Sequence, residues 1–214
     1  MQTRLPRETG IREVERVCRS DPSKFDCLIV HLVRDPRAVL SSLIKRHFIG
    51  KPARSLTPQG IANLKPNAQM LCSLVSENLD YVNTEWSNWF ESRYILVRYE
   101  DASSNMSKVT YDMHESIGLP MVETTVHWIK GVPPPGLSHN RGMVISSTDA
   151  ATIDKWRFRE NYSRVSLFEE ACRPLMEAMG YIFINGSENL QHNNDKPLRT
   201  ANIPFLRDLH SEKP

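Results

Sequence analysis

The chain has 214 residues, 40% hydrophobic and 24% charged, with a formal net charge of +2. That length holds one domain with a sizeable core, and so small a net charge gives a nucleic-acid role no global support. No window approaches the roughly 20 apolar residues of a membrane span, no signal peptide is recognisable, and no low-complexity tract or internal repeat stands out.

Val14, Val17 and Cys18 share one face of a short helix predicted over residues 10–20. Leu28 to Val33 is an apolar run broken only by His31, short and β-branched enough to be a buried strand. Asp35 is a good N-cap and Pro36 a good first helical residue. Ala38, Val39, Leu40, Leu43 and Ile44 then continue at helical spacing, predicting a helix over 36–47. A polar, proline-bearing loop leads to a helix at 64–83, marked by Leu64, Met70, Leu71, Leu74, Val75 and Leu79. Trp86, Trp89 and Phe90 precede a second strand, Tyr94 to Val97. Ser103 or Ser104 is expected to cap a helix that Gly118 stops, and a shorter helix follows at 121–130. Gly131-Val-Pro-Pro-Pro-Gly136 ends it, and a loop runs to Ser147. Two last helices fall near 148–157 and 163–179, with Pro174 inside the second and expected to kink it. Everything after Asn185 is polar and expected to be loosely ordered. Strands separated by helices indicate an α/β fold with a parallel sheet.

The turn after the first strand concentrates the chemistry. A strand-to-helix turn leaves backbone N–H groups free, and Arg34 adds a fork of donors beside them. Ser42 follows eight residues later, about two helical turns in, so Arg34 and Ser42 together outline a phosphate site. The plainer alternative is that Asp-Pro starts a helix and Arg34 is a solvated charge. Arg34, Arg37, Lys45, Arg46, Lys51 and Arg54 face one acid, Asp35, in this stretch. They form either an anion-attracting rim or a solvated face and loop. His31, inside the strand, reads as structural. Arg98, Glu100 and Asp101 follow the second strand at the edge where α/β ligands bind; capping explains the two acids equally well, and Arg98 leans towards function.

Val33-Arg-Asp-Pro-Arg-Ala-Val-Leu-Ser-Ser42 resembles the 3'-phosphate-binding motif of the Golgi carbohydrate sulfotransferases. Tyr94-Ile-Leu-Val-Arg-Tyr-Glu-Asp101 resembles that family's YxLVRYEDL segment, with Ala102 in place of the leucine. Asp154-Lys-Trp-Arg-Phe-Arg159, then Glu170-Ala-Cys172 and Met179-Gly-Tyr181, resembles its C-terminal signature. The WRFR form is most similar to the keratan-sulfate galactose and chondroitin 6-O-sulfotransferases. The resemblance implies a P-loop-like parallel sheet flanked by helices, a partial sulfotransferase domain over 1–184 and a loose tail over 185–214. It implies 3'-phosphoadenosine 5'-phosphosulfate (PAPS) as sulfuryl donor, no metal, and a glycan acceptor sulfated on the 6-hydroxyl of Gal, GlcNAc or GalNAc. Arg34 and Ser42 take the 3'-phosphate, with Arg37 and Arg157 as further cofactor-binding candidates and Trp156 beside Arg157. The family's N-terminal loop for the 5'-phosphosulfate has no counterpart here, so the sheet is expected to be incomplete at its N-terminal side. Its first strand would then expose an apolar edge. The neutralising role belongs to that loop, and no histidine or carboxylate stands in a position diagnostic of the catalytic base. Acceptor choice is expected to reside in loops such as 48–63 and 131–147.

The resemblance also makes Cys72 and Cys172 the candidate disulfide, whereas Cys27 reads as a packed thiol. Sequons at Asn105, Asn161 and Asn185 are candidate glycosylation sites, and with a disulfide they point to the Golgi lumen or membrane. Three readings stay open: a glycan sulfotransferase, a truncated and inactive nucleotide-binding remnant of that family, and an unrelated phosphate-binding module such as a kinase fragment. The third has no GxxxxGK motif behind it.

Overall fold

The computed structural model describes residues 10–45, 60, 63–130 and 153–205. The basic residues Arg46, Lys51 and Arg54, most of the 48–63 loop and the whole of 131–147 lie outside the described residues.

The sheet is a parallel pair, β1 (Ile29–Val33) and β2 (Tyr94–Arg98), in register from Ile29↔Tyr94 to Val33↔Arg98. Helices α1 (Ile11–Ser20), α2 (Pro36–Lys45) and α3 (Lys65–Thr84) surround it in the first half. This is α/β, as expected. β1 is buried on one face only: Ile29 and Val33 enter the core, while Val30 and Leu32 are 41% and 58% exposed.

On α3, Ala68, Cys72, Val75, Leu79 and Val82 recur at spacings of three and four, which builds one apolar stripe. It packs with Leu40 and Ile44 of α2 and with Phe90 of the one-turn α4 (Asn88–Glu91). The buried face of α1 is Ile11, Glu15 and Cys18, and the expected Val17 points outward at 51% exposure. Glu15 is tolerated there because Tyr81 donates to it at 2.5 Å and Arg19 pairs with it at 2.8 Å.

After β2 the chain forms α5 (Tyr99–Ser104) and α6 (Met106–Ser116). Asn105 caps α6 by accepting from Lys108 N–H at 3.1 Å, in place of the expected Ser103 or Ser104. Ser104 instead donates back to the Glu100 carbonyl at 2.6 Å, closing α5. Gly118, at φ +65°, ends α6 as the sequence indicated. Beyond α7 (Glu123–Ile129) come α8 (Lys155–Arg159), α9 (Tyr162–Ala171) and α10 (Arg173–Ala178). Pro174 does not kink a long helix; it stands in the first turn of α10, where its missing N–H costs nothing.

Two expectations fail more substantially. Residues 185–205 are packed rather than loose. Ile182 N–H donates to Leu198 at 2.9 Å, Thr200 N–H donates to Gly180 at 2.8 Å, and α11 (Glu188–His192) carries Gln191 with no exposure. Leu198, Ile203 and Phe205 anchor this polar stretch in the core. Cys27 is not a free thiol. It is bonded to Cys18, while Cys72 and Cys172 are paired as expected, with Cα atoms 5.3 Å apart.

Candidate anion site at the first strand-to-helix turn

Asp35 organises the turn. Its side chain accepts from Arg37 N–H at 2.8 Å, and its carbonyl accepts from Val39 N–H at 3.1 Å to start α2. Its own N–H donates to Glu100 Oε1 at 3.0 Å. The backbone donors of Asp35 and Arg37 are therefore spoken for, and the carboxylate of Asp35 sits among them. The anion-binding capacity of the turn lies in side chains, less in the helix N-terminus than the sequence suggested.

Arg34 is the side chain left over. Its guanidinium lies over the Tyr99 ring, 4.4 Å from the centroid, and its buried Nε has no hydrogen-bond partner. A buried donor without an acceptor costs about 1–3 kcal/mol, which a ligand oxygen would recover. Ser42 is half-buried on α2, two turns from the start of the helix. Its neighbour Ser41 is turned inward and donates to Glu160 at 2.7 Å.

The other predicted arginines are internal. Arg37 has no exposed surface. It donates to both Asp35 oxygens, to Glu169 Oε1 at 2.7 Å and to the Ile182 carbonyl at 2.9 Å, and it stacks on Trp156 at 4.5 Å. Burial opposes its charge, but Asp35 and then Glu169 outweigh that and hold its pKa above the ordinary value. Arg157, also unexposed, donates to the carbonyls of Gln191, Leu190, Lys196 and Asn193. Arg98 donates to Asp101, to the Met179 carbonyl and to the Thr200 carbonyl. With their donors turned to internal acceptors, Arg37 and Arg157 leave the cofactor-binding set, and Arg98 loses its functional leaning. Arg37 and Arg98 tie the strand ends to the C-terminal segment, and Arg157 ties α8 to it.

Glu100 accepts from Tyr181 Oη at 2.8 Å as well as from Asp35. Burial first, and the Asp35 charge second, raise its pKa. His31 lies on the core face, 2.8 Å from Tyr94 Oη, and burial lowers its pKa to about 4. Neither reaches a position from which a base role could be argued. Tyr99 is what the sequence reading passed over. It stood inside a quoted motif, and only the Val33↔Arg98 register shows that it flanks Arg34.

No family model matches the chain, and no solved structure does. Carbohydrate sulfotransferase 1 of Mus musculus is 31% identical over 190 residues, covering 83% of this chain and 44% of that protein. The Homo sapiens protein of the same name is 30% identical over 186 residues, with the same coverage. Carbohydrate sulfotransferase 3 of Mus musculus is 25% identical over 170 residues, 75% of this chain and 35% of the relative. The chain is a homologue of the carbohydrate sulfotransferases.

It spans less than half the length of these sulfotransferases. Of the four predicted cofactor-binding residues, Arg34 and Ser42 are partly buried and Arg37 and Arg157 fully so. No group of three His, Cys, Asp or Glu side chains able to hold a metal occurs among the described residues. No described helix is long and apolar enough to cross a membrane. Asn105, Asn161 and Asn185 are all exposed.

Proposed function

We propose that the chain carries the 3'-phosphate side of a PAPS-dependent sulfotransferase site and serves transfer of a sulfuryl group to a glycan. The hydroxyl that fits the resemblance is the 6-hydroxyl of Gal, GlcNAc or GalNAc. The observation that carries this reading is Arg34. It is the strand-end arginine whose Nε is buried and unsatisfied, while Arg37, Arg98 and Arg157 are bonded internally.

The residues fit the nucleotide in a limited way. Arg34 would give charge-assisted donors to the 3'-phosphate, and Ser42 a hydroxyl from α2. PAPS, when bound, supplies the sulfuryl group and departs as 3'-phosphoadenosine 5'-phosphate. Asp35, Glu100 and Arg37 hold the turn in place. The same reading takes β1 and β2 as members of a P-loop-like parallel sheet, which the exposed Val30 and Leu32 support. Two disulfides with no free cysteine, and three exposed sequons, support a Golgi-lumen setting.

The test is transfer of radiolabelled sulfate from PAPS to keratan or chondroitin oligosaccharides. Label in the glycan, lost on Arg34→Ala, is expected. Binding of 3'-phosphoadenosine 5'-phosphate without transfer would reduce the chain to a nucleotide-binding remnant, and absence of both would overturn the reading.

A further inference from the structure

We infer that Tyr99 is a positioning residue for the 3'-phosphate: the Arg34 guanidinium rests over its ring, held without a carboxylate or carbonyl partner, so that the guanidinium's donors stay available to the anion. This rests on the nucleotide reading above.

The two residues are brought together by the sheet. Val33 and Arg98 are the last register partners, so the next residues of each strand, Arg34 and Tyr99, emerge side by side. One step further on, Asp35 N–H donates to Glu100 Oε1 at 3.0 Å. The Arg34–Tyr99 pair is therefore bracketed by a fixed rung on each side. Tyr99 itself lies between two buried anchors. Arg98 bonds Asp101 and two carbonyls, and Glu100 accepts from Tyr181. Its place on the rim of the sheet is set by neighbours that do not touch the ligand.

How Arg34 is held differs from how the structural arginines are held. Arg37, Arg98 and Arg157 are fixed through their N–H groups by carboxylates and carbonyls, which uses up the donors. A guanidinium carries five N–H donors, all in its plane. An aromatic ring under the guanidinium carbon, as Tyr99 is at 4.4 Å, does not take up those donors as a carboxylate or carbonyl would. The unpaired, buried Nε is the sign that donors were left over. A free surface arginine would keep its donors but would lose side-chain entropy on binding. One fixed by a carboxylate would have its charge neutralised. The aromatic face avoids both costs, which suits a site for a dianionic phosphate.

Calorimetry on the full 214-residue chain tests this, using 3'-phosphoadenosine 5'-phosphate and adenosine 5'-phosphate as paired probes. Only the first carries the phosphate that Arg34 would meet. Tyr99→Phe should leave the preference for the bisphosphate within about twofold. Tyr99→Leu should lower that preference by about three- to thirtyfold, the range of a cation–π contact, with adenosine 5'-phosphate binding unchanged. Fluorinated phenylalanines at position 99 keep the ring's shape while draining its face, so a graded fall in preference is expected even if the leucine variant does not fold. An unchanged preference across the fluorinated series, or equal weakening of both nucleotides, overturns the inference while leaving the nucleotide reading intact. If Arg34→Ala keeps the preference, or the unmodified chain binds neither probe, the nucleotide reading falls and this inference with it.

Discussion

Arg34, Arg37, Arg98 and Arg157 look alike in sequence, each within one of the segments that carry the resemblance to the sulfotransferases. What separates them is the distance along the chain to their partners. Arg37 meets Glu169 from 132 residues away, and Arg157 meets carbonyls at least 33 residues on. Composition of the 34–54 stretch could not reveal that Arg37 is buried, because its second neutralising acid, Glu169, comes from α9. His31 was legible as structural from its place in an apolar run, and it carries a pH consequence. Burial lowers its pKa from about 6.5 to about 4, so between those values the unfolded chain binds a proton that the folded chain does not. The stability it contributes is complete above pH 6.5 and is lost as pH falls towards 4. From pH 7 to pH 4.5 the wild type should lose about 2 kcal/mol more than His31→Asn in urea unfolding. Comparing the two cancels the buried Glu100 and Glu169, whose raised pKa values act in the opposite sense. Parallel pH curves would show that His31 is not the group responsible.

At the level of elements, local signals located most helices and both strands, since hydrophobic spacing and caps act over a few residues. Misreadings arose where two local signals competed. Pro174 reads as a kink because apolar residues recur at helical spacing across 163–179, yet a break at Cys172 lets the same proline open α10. Asn105 outcompeted two serines as the cap of α6. The tail defeated composition altogether. Its carbonyls accept from Arg157 and Arg98, and Gln191 donates from it to the Arg157 carbonyl, so few apolar residues suffice to dock it. Gly180 marks where that docking is tightest. It has φ +71°, and a Cβ there would lie 2.1 Å from Thr200 Oγ1 and 2.8 Å from Pro204 Cδ. Gly118, at φ +65°, has open space around it. Gly118→Ala should cost about 1–2 kcal/mol from backbone strain alone, and Gly180→Ala should cost clearly more in chemical denaturation, on the order of 3 kcal/mol. Equal costs would mean that the C-terminal segment does not press on α10.

Across the whole molecule, the core runs from α1 through the sheet and α3 to α9 and α10, and Cys72–Cys172 crosses it between α3 and the α9–α10 junction. That bridge spans 100 residues of sequence, whereas Cys18–Cys27 spans 9. Loop-closure entropy therefore ranks them. Removing the long bridge by paired Cys→Ala changes should cost about 4–5 kcal/mol, and removing the short one about 2–3 kcal/mol. A reversed order in equilibrium unfolding would contradict that ranking. Arg37 and Arg98 tie the docked C-terminal segment to the two strand ends, beside Arg34 and Tyr99. The measurement that tests the assignment of Arg34 most directly is the thermal shift given by 3'-phosphoadenosine 5'-phosphate. A ligand bound only by the native state must raise the melting temperature as its concentration exceeds the dissociation constant. The wild-type chain is expected to shift and Arg34→Ala not to, with both melting at similar temperatures without ligand. An equal shift in the two proteins would contradict the assignment of Arg34 to the 3'-phosphate.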